Sequence, residues 1–252
     1  MNHSQKQKRI AEVKAAHHDG SAKEDYHYVG RGSYLRNIVY GANDGIVTTF
    51  AVVAGVAGAG LDTKIVLILG FANLIADGIS MAVGNYLGTS SENQLQAKER
   101  IMEEWEVAHV PDEERKEIEE IYRAKGFSGK NLDHIVSVIT SDKKLWVDEM
   151  MVNELGIIPG EEESPIGNSV ATFIAFVIAG FLPLLPYVAG IEFGNVFNTA
   201  IIMTAFALFI VGAMRSIVIK EHWFISGLEM LGVGAIAAAS AYAVGYFLQG
   251  LA

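Results

Sequence analysis

The sequence predicts an all-α membrane protein with five transmembrane helices and a helical insert between the second and the third. Two observations carry this. Five mostly apolar stretches, at 38–61, 65–88, 166–191, 193–219 and 224–251, reach the length of about 20 residues that a bilayer-crossing helix needs. The charges are also segregated along the chain. Residues 89–165 hold 19 Asp and Glu against 9 Lys and Arg, so the formal net charge of −10 belongs to that segment and the remainder sums to zero. Four regions follow: a cytoplasmic N-terminal tail (1–34), spans one and two (35–88), an acidic helical domain (89–165) and spans three to five (166–252).

The tail is polar and contains Glu rather than a basic stub followed by an apolar core, which predicts no cleaved leader. Spans one and two are joined only by residues 62–64, too few for anything but a tight turn, so they form an antiparallel hairpin. GANDGIV (41–47) and LIADGIS (74–80) both set an Asp-Gly pair in an apolar run, a short internal echo between the two spans. A carboxylate there is costly to ionise, which marks Asp44 as a candidate functional group. Gly55, Gly58 and Gly60 are read as packing residues, because small side chains let helices approach closely in lipid. Span three ends in FLPLLPY, where Pro183 and Pro186 predict a broken helix.

Lys and Arg accumulate on the cytoplasmic side of membrane proteins. With five spans the termini face opposite ways. An N-terminus inside places eighteen of the nineteen cations in the cytoplasm and leaves only Lys64 outside, so the expected topology is N-in and C-out with the acidic domain cytoplasmic.

Within 89–165 the punctuation is helical. Thr89, Ser90 or Ser91 offers a cap for a helix through about residue 108, continuous with span two; Pro111 opens a second that AKG (124–126) closes; a third covers about 132–140. Asp142 caps a fourth, stopped by Gly156 and Pro159. Glu103 and Glu106 are three apart, as are Glu114 and Glu117, so each pair projects from one side of its helix. Two such helices folded together offer four oxygens to a cation. Met150, Met151 and Glu154 add soft and hard donors on the last helix, a mixture that suits Fe²⁺ better than Mg²⁺. Glu-rich helices also arise as solvated faces, and a Met pair as core filler. Spacing leaves both readings open. The absence of cysteine removes thiolate sites and disulfides.

YGANDGIVTTFAVVAGVAGAG (40–60), ISMAVGNYLGTSSE (79–92), DEMMVNELG (148–156) within the Glu-rich insert, and FLPLLPY (181–187) together resemble the vacuolar iron transporter family. The likeness runs from about residue 35 to the C-terminus and leaves out His3, His17, His18 and His27, which are assigned to a mobile tail rather than a site. The resemblance implies a five-span homodimer that moves Fe²⁺, often Mn²⁺ as well, out of the cytoplasm in exchange for protons. No enzymatic activity, prosthetic group or nucleic acid partner goes with it. It implies metal ligands at Glu103, Glu106, Glu114, Glu117, Met150, Met151 and Glu154, and a translocation path at the dimer axis containing Asp44 and Met81. An Asp in such a passage holds a proton when no metal is near and releases it to an arriving dication.

Relatives commonly carry a carboxylate near the position of Asn73, and many carry one at that of Asn85; here Asp77, one turn from Met81, is the candidate that compensates. Glu229 is expected to pair with Arg215 or Lys220. The competing classes are a membrane-anchored ferritin-like ferroxidase, for which Glu106-x-x-His109 supplies one half of the usual pair of Glu-x-x-His motifs, and a metal sensor. The short chain without a targeting extension points to a prokaryotic cell membrane, with a vacuolar membrane the expectation in a eukaryote.

Overall fold

The computed structural model describes residues 3–19, 32–160, 162–219 and 222–250. Among them there is no strand, only an isolated bridge between Phe193 and Asn195. The helices are α1 (His3–Asp19), α2 (Gly32–Gly58), α3 (Thr63–His109), α4 (Pro111–Ala124), α5 (Gly129–Thr140), α6 (Lys143–Asn153), α7 (Pro165–Phe181), α8 (Leu185–Ala189), α9 (Val196–Ile219) and α10 (Trp223–Leu248). Five of the helical stretches are long and apolar enough to cross a membrane: Tyr34–Gly58, Thr63–His109, Pro165–Ala189, Val196–Ser216 and Trp223–Leu248. The chain is therefore an integral membrane protein.

Two compact units result, Met1–Tyr86 with Ile166–Ala252, and Leu87–Pro165. In the first, the α2–α3 turn is set by Gly60, whose φ of +67° lies in the left-handed region. Asp62 then accepts from the Lys64 N–H at 2.7 Å as α3 begins. On α7 the buried residues Asn168, Thr172, Phe176 and Ala179 recur at helical spacing and form the face turned inward. Helix α2 can meet it closely because position 45 has no side chain: a Cβ there would overlap the carbonyl oxygen of Phe176. Gly58 packs in the same way against Tyr242 O of α10, as the sequence led us to expect, Gly55 lies at ordinary contact distance from the same helix, and Gly60 serves the turn. Pro183 and Pro186 break the third span into a 3-10 turn (Leu182–Leu184) and the short α8, which Gly190 ends at φ +64°. Phe50, Val53, Leu74, Phe176 and Leu184 form one core of this unit, and Ile46, Leu208 and Met230 lie in another.

Within the N-terminal tail α1 occupies His3–Asp19; residues 20–31, including His27, lie outside the described residues. The first membrane helix begins before its apolar run, at Gly32. Hydropathy registers only the part of a helix that needs lipid, so a polar first turn is invisible to it.

The second unit is a small helical domain around Ile118, Val136, Val147 and Met150, all at most 2% exposed. Burying each such side chain contributes about 1.5–3 kcal/mol. Helix α3 enters this unit without interruption, so Thr89, Ser90 and Ser91 cap nothing and sit mid-helix. It stops at His109 because Pro111 cannot continue it. The Val110 N–H closes onto Glu106 O at 2.8 Å, and Pro111 takes the first position of α4, where no N–H is required. Asp142 caps α6 by accepting from the Leu145 N–H at 3.0 Å.

Candidate metal centre

The corner at Val110 and Pro111 folds α4 back beside the end of α3 and brings the two Glu-x-x-Glu pairs together. Glu103 and Glu106 of α3 and Glu114 of α4 each present an oxygen within 4.8 Å of the others. Glu103 and Glu114 are each only 4% exposed, and one carboxylate oxygen of each is buried with no hydrogen-bond partner among the described residues. Three described cations near this sequence are engaged by other acids: Arg100 by Asp148 and Glu104, Lys116 by Glu113, and Arg123 by Glu119. Burial, and then the neighbouring carboxylates, push both Glu103 and Glu114 up to about 7. Glu154, at the C-cap of α6, is raised by burial and then by Glu117, whose side chain it meets in a hydrogen bond.

Crowded acids with unpartnered oxygens are unstable as anions unless protons or a cation join them. Such a cluster binds a dication by giving up protons. Glu117 and Glu154 act on Glu103 and Glu114 electrostatically, so three acids have oxygens within 4.8 Å of one another and two more bear on them. Glu99, one turn before Glu103, also bears on it; its spacing of four was a signal the sequence reading passed over. Met150 (0% exposed) and Met151 (2%) are buried in the core with Val107 and Ile118, the sequence neighbours of Glu106 and Glu117.

His109 does not join this group. Its ring stacks on Trp105 with centroids 4.5 Å apart, and its Nδ1 lies 2.8 Å from the Trp105 carbonyl oxygen. Trp105 is 51% exposed, so the pair faces away from the core. The Glu106-x-x-His109 spacing is therefore not a di-metal motif here.

In the membrane unit, Asn73, Asp77, Met81 and Asn85 recur every fourth residue on one half-buried face of α3. Asp44 on α2 is half-buried, and its carboxylate lies close enough to that of Asp77 to interact electrostatically. The Asp44 main-chain oxygen accepts from the Thr48 hydroxyl at 2.8 Å. Asn85 Nδ2 donates to Asn37 Oδ1 at 2.9 Å and to Thr172 Oγ1 at 3.1 Å, tying α3 to α2 and α7. Asn37 Nδ2, Asn43 Oδ1 and Asn73 Nδ2 are buried with no hydrogen-bond partner among the described residues. Met81 packs at the edge of the core that holds Phe50 and Phe176. Glu229 pairs with Arg215 at 3.2 Å, the structural role expected of it.

Five apolar helices with a cluster of buried acids in a separate helical domain define a polytopic membrane protein with a candidate site for a divalent cation. The chain belongs to the VIT family, whose model matches residues 35–246. It is 37% identical over 239 residues to a vacuolar iron transporter of Toxoplasma gondii, covering 91% of this chain and 79% of that one. It is 33% identical over 218 residues to vacuolar iron transporter 1 of Arabidopsis thaliana (86% and 87% covered). With vacuolar iron transporter 1 of Oryza sativa the identity is 31% over 236 residues (94% and 93%).

Proposed function

We propose that this protein is a secondary transporter that carries Fe²⁺, and Mn²⁺ as well, out of the cytoplasm in exchange for protons. The observation that carries the reading is the convergence of Glu103, Glu106 and Glu114, two of them buried with unpartnered oxygens, in a chain whose relatives are named iron transporters. The acidic domain lies in the cytoplasm and collects the ion. Glu103, Glu106, Glu114, Glu117 and Glu154 supply oxygen, and Met150 and Met151 bring sulfur to the floor of the site. Protons held by Glu103 and Glu114 leave as the dication enters.

The path through the membrane runs along the shared face of α2 and α3. Asp44 and Asp77 carry carboxylates close enough to interact in a medium of low dielectric, so a passing cation is held between them. Met81, one turn from Asp77, offers a soft, uncharged contact that binds a transition metal without trapping it. The working unit is a homodimer. Ile101, Met102 and Trp105, each at least 50% exposed on the domain's stretch of α3, form an apolar strip that supports this, because a soluble surface rarely leaves such a strip uncovered. Charge distribution supports an N-terminus inside and a C-terminus outside.

The test is Fe²⁺ uptake into proteoliposomes that contain a pH indicator. The wild type drives metal-dependent proton movement and Asp44→Asn abolishes it. Uptake by Asp44→Asn at the parent rate, with the same proton signal, overturns the exchange mechanism.

A further inference from the structure

We propose that Tyr122 is a positioning residue for the acidic cluster, fixing the last turn of α6 so that Glu154 is held against Glu117. The inference rests on reading that cluster as a metal site. Glu154 is the one carboxylate of the set that comes from neither α3 nor α4. It sits just past the end of α6, where helices fray and a side chain's direction is weakly set.

A second polar network, made by Glu149 and Asn153 of α6 with the end of α4, removes that freedom. The Tyr122 hydroxyl on α4 donates to Glu149 Oε2 at 2.8 Å. The same oxygen accepts from Asn153 Nδ2 at 2.6 Å, and Asn153 Nδ2 also reaches the Glu149 carbonyl oxygen at 3.0 Å. Lys125, the C-cap of α4, donates to Asn153 Oδ1 at 2.5 Å and rests 4.5 Å from the centre of the Tyr122 ring. Four side chains thus join the end of α4 to the end of α6, and the residue after Asn153 is Glu154.

Two further features give the network its purpose. Helix α6 has no basic residue in its last turn, so Lys125 from α4 supplies the cation that the negative end of the helix lacks. Burial, and then the hydrogen bond to Glu149, hold the Tyr122 phenol up at about 12, so the hydroxyl remains a donor wherever the protein works. Hydrophobic packing of Trp146, Val147, Met150 and Met151 locates α6, but only a directional contact fixes the rotation of its last turn. Outer partners of this kind orient ligands without touching the ion.

The experiment is an Mn²⁺ titration of the full chain in detergent, following the electron paramagnetic resonance signal of free Mn²⁺, for the wild type, Tyr122→Phe, Glu154→Gln and the double variant. Tyr122→Phe is expected to weaken binding about tenfold, the low end of what outer-shell partners contribute. In the double variant the loss equals that of Glu154→Gln alone, because Tyr122 acts through that carboxylate. Full affinity in Tyr122→Phe, or penalties that multiply in the double variant, overturns the positioning role while leaving the cluster reading intact. A wild type that does not bind Mn²⁺ sinks the cluster reading and this inference with it.

Discussion

Replacing Glu114 by Gln should stabilise the metal-free acidic domain at pH 8 and leave it nearly unchanged at pH 4. Glu114 is 4% exposed, and its carboxyl rises from an ordinary 4.5 to about 7, first through burial and then through Glu117, Glu103, Glu106 and Glu154. The folded state therefore holds a proton more tightly than the unfolded chain. Stability from this group is complete below pH 4.5 and is lost as pH rises toward 7. The full loss is roughly 3 kcal/mol above pH 7, at 1.36 kcal/mol for each tenfold difference in proton affinity. Gln keeps the shape without the charge, so the variant escapes most of that penalty. Hydrogen–deuterium exchange of residues 111–153 in the full chain, with variant and wild type compared at the same pH, reads it out. Protection should be about tenfold to a hundredfold greater in Glu114→Gln at pH 8 and within about twofold of the wild type at pH 4. Adding Mn²⁺ at pH 8 should protect the wild type more than the variant, which has lost a ligand oxygen. A variant less protected than the wild type at pH 8 without metal would refute the claim that repulsion among buried acids governs this domain.

Gly45→Ala places a methyl group on the Phe176 carbonyl and forces α2 from α7, at a cost of about 1–3 kcal/mol; an earlier transition when detergent-solubilised protein is titrated with denaturant checks it. Trp105→Glu puts a charge in the exposed strip of the acidic domain, and light scattering in detergent should show it shifted toward monomer with Mn²⁺ affinity retained.

The sequence reading succeeded where one helix decides the outcome. Asp142 caps α6 through Leu145, Pro111 starts α4, and the prolines of FLPLLPY break the third span, because each effect acts within a few residues. The two Glu-x-x-Glu pairs on either side of a proline corner also pointed to Glu103, Glu106 and Glu114, whose oxygens the tight corner brings within 4.8 Å of one another; that they hold a metal is our proposal. What escaped depends on partners distant in the chain. Tyr122 and Glu149 are 27 residues apart and have no periodic signature. Asn37 and Asn85, 48 apart, meet only because the hairpin turn fixes the register of α2 against α3. His109 shows why a single spacing was not enough for the competing ferroxidase reading. The spacing fitted a metal motif, but a stacked Trp105 one turn earlier gave the ring a better surface than the acidic cluster did.

Two acids poised near neutrality also alter what the formal charge of −10 means. When a dication enters such a cluster near pH 7, two half-protonated acids release about one proton between them, which offsets about half of the charge it brings. The far field of the domain then changes by less than the ion's own charge between its empty and filled states, and the next ion diffusing through salt solution meets much of the attraction that drew the first. Native electrophoresis and ion-exchange retention should accordingly shift by less than the full charge of each ion, while a weakly buffered solution acidifies with every ion captured.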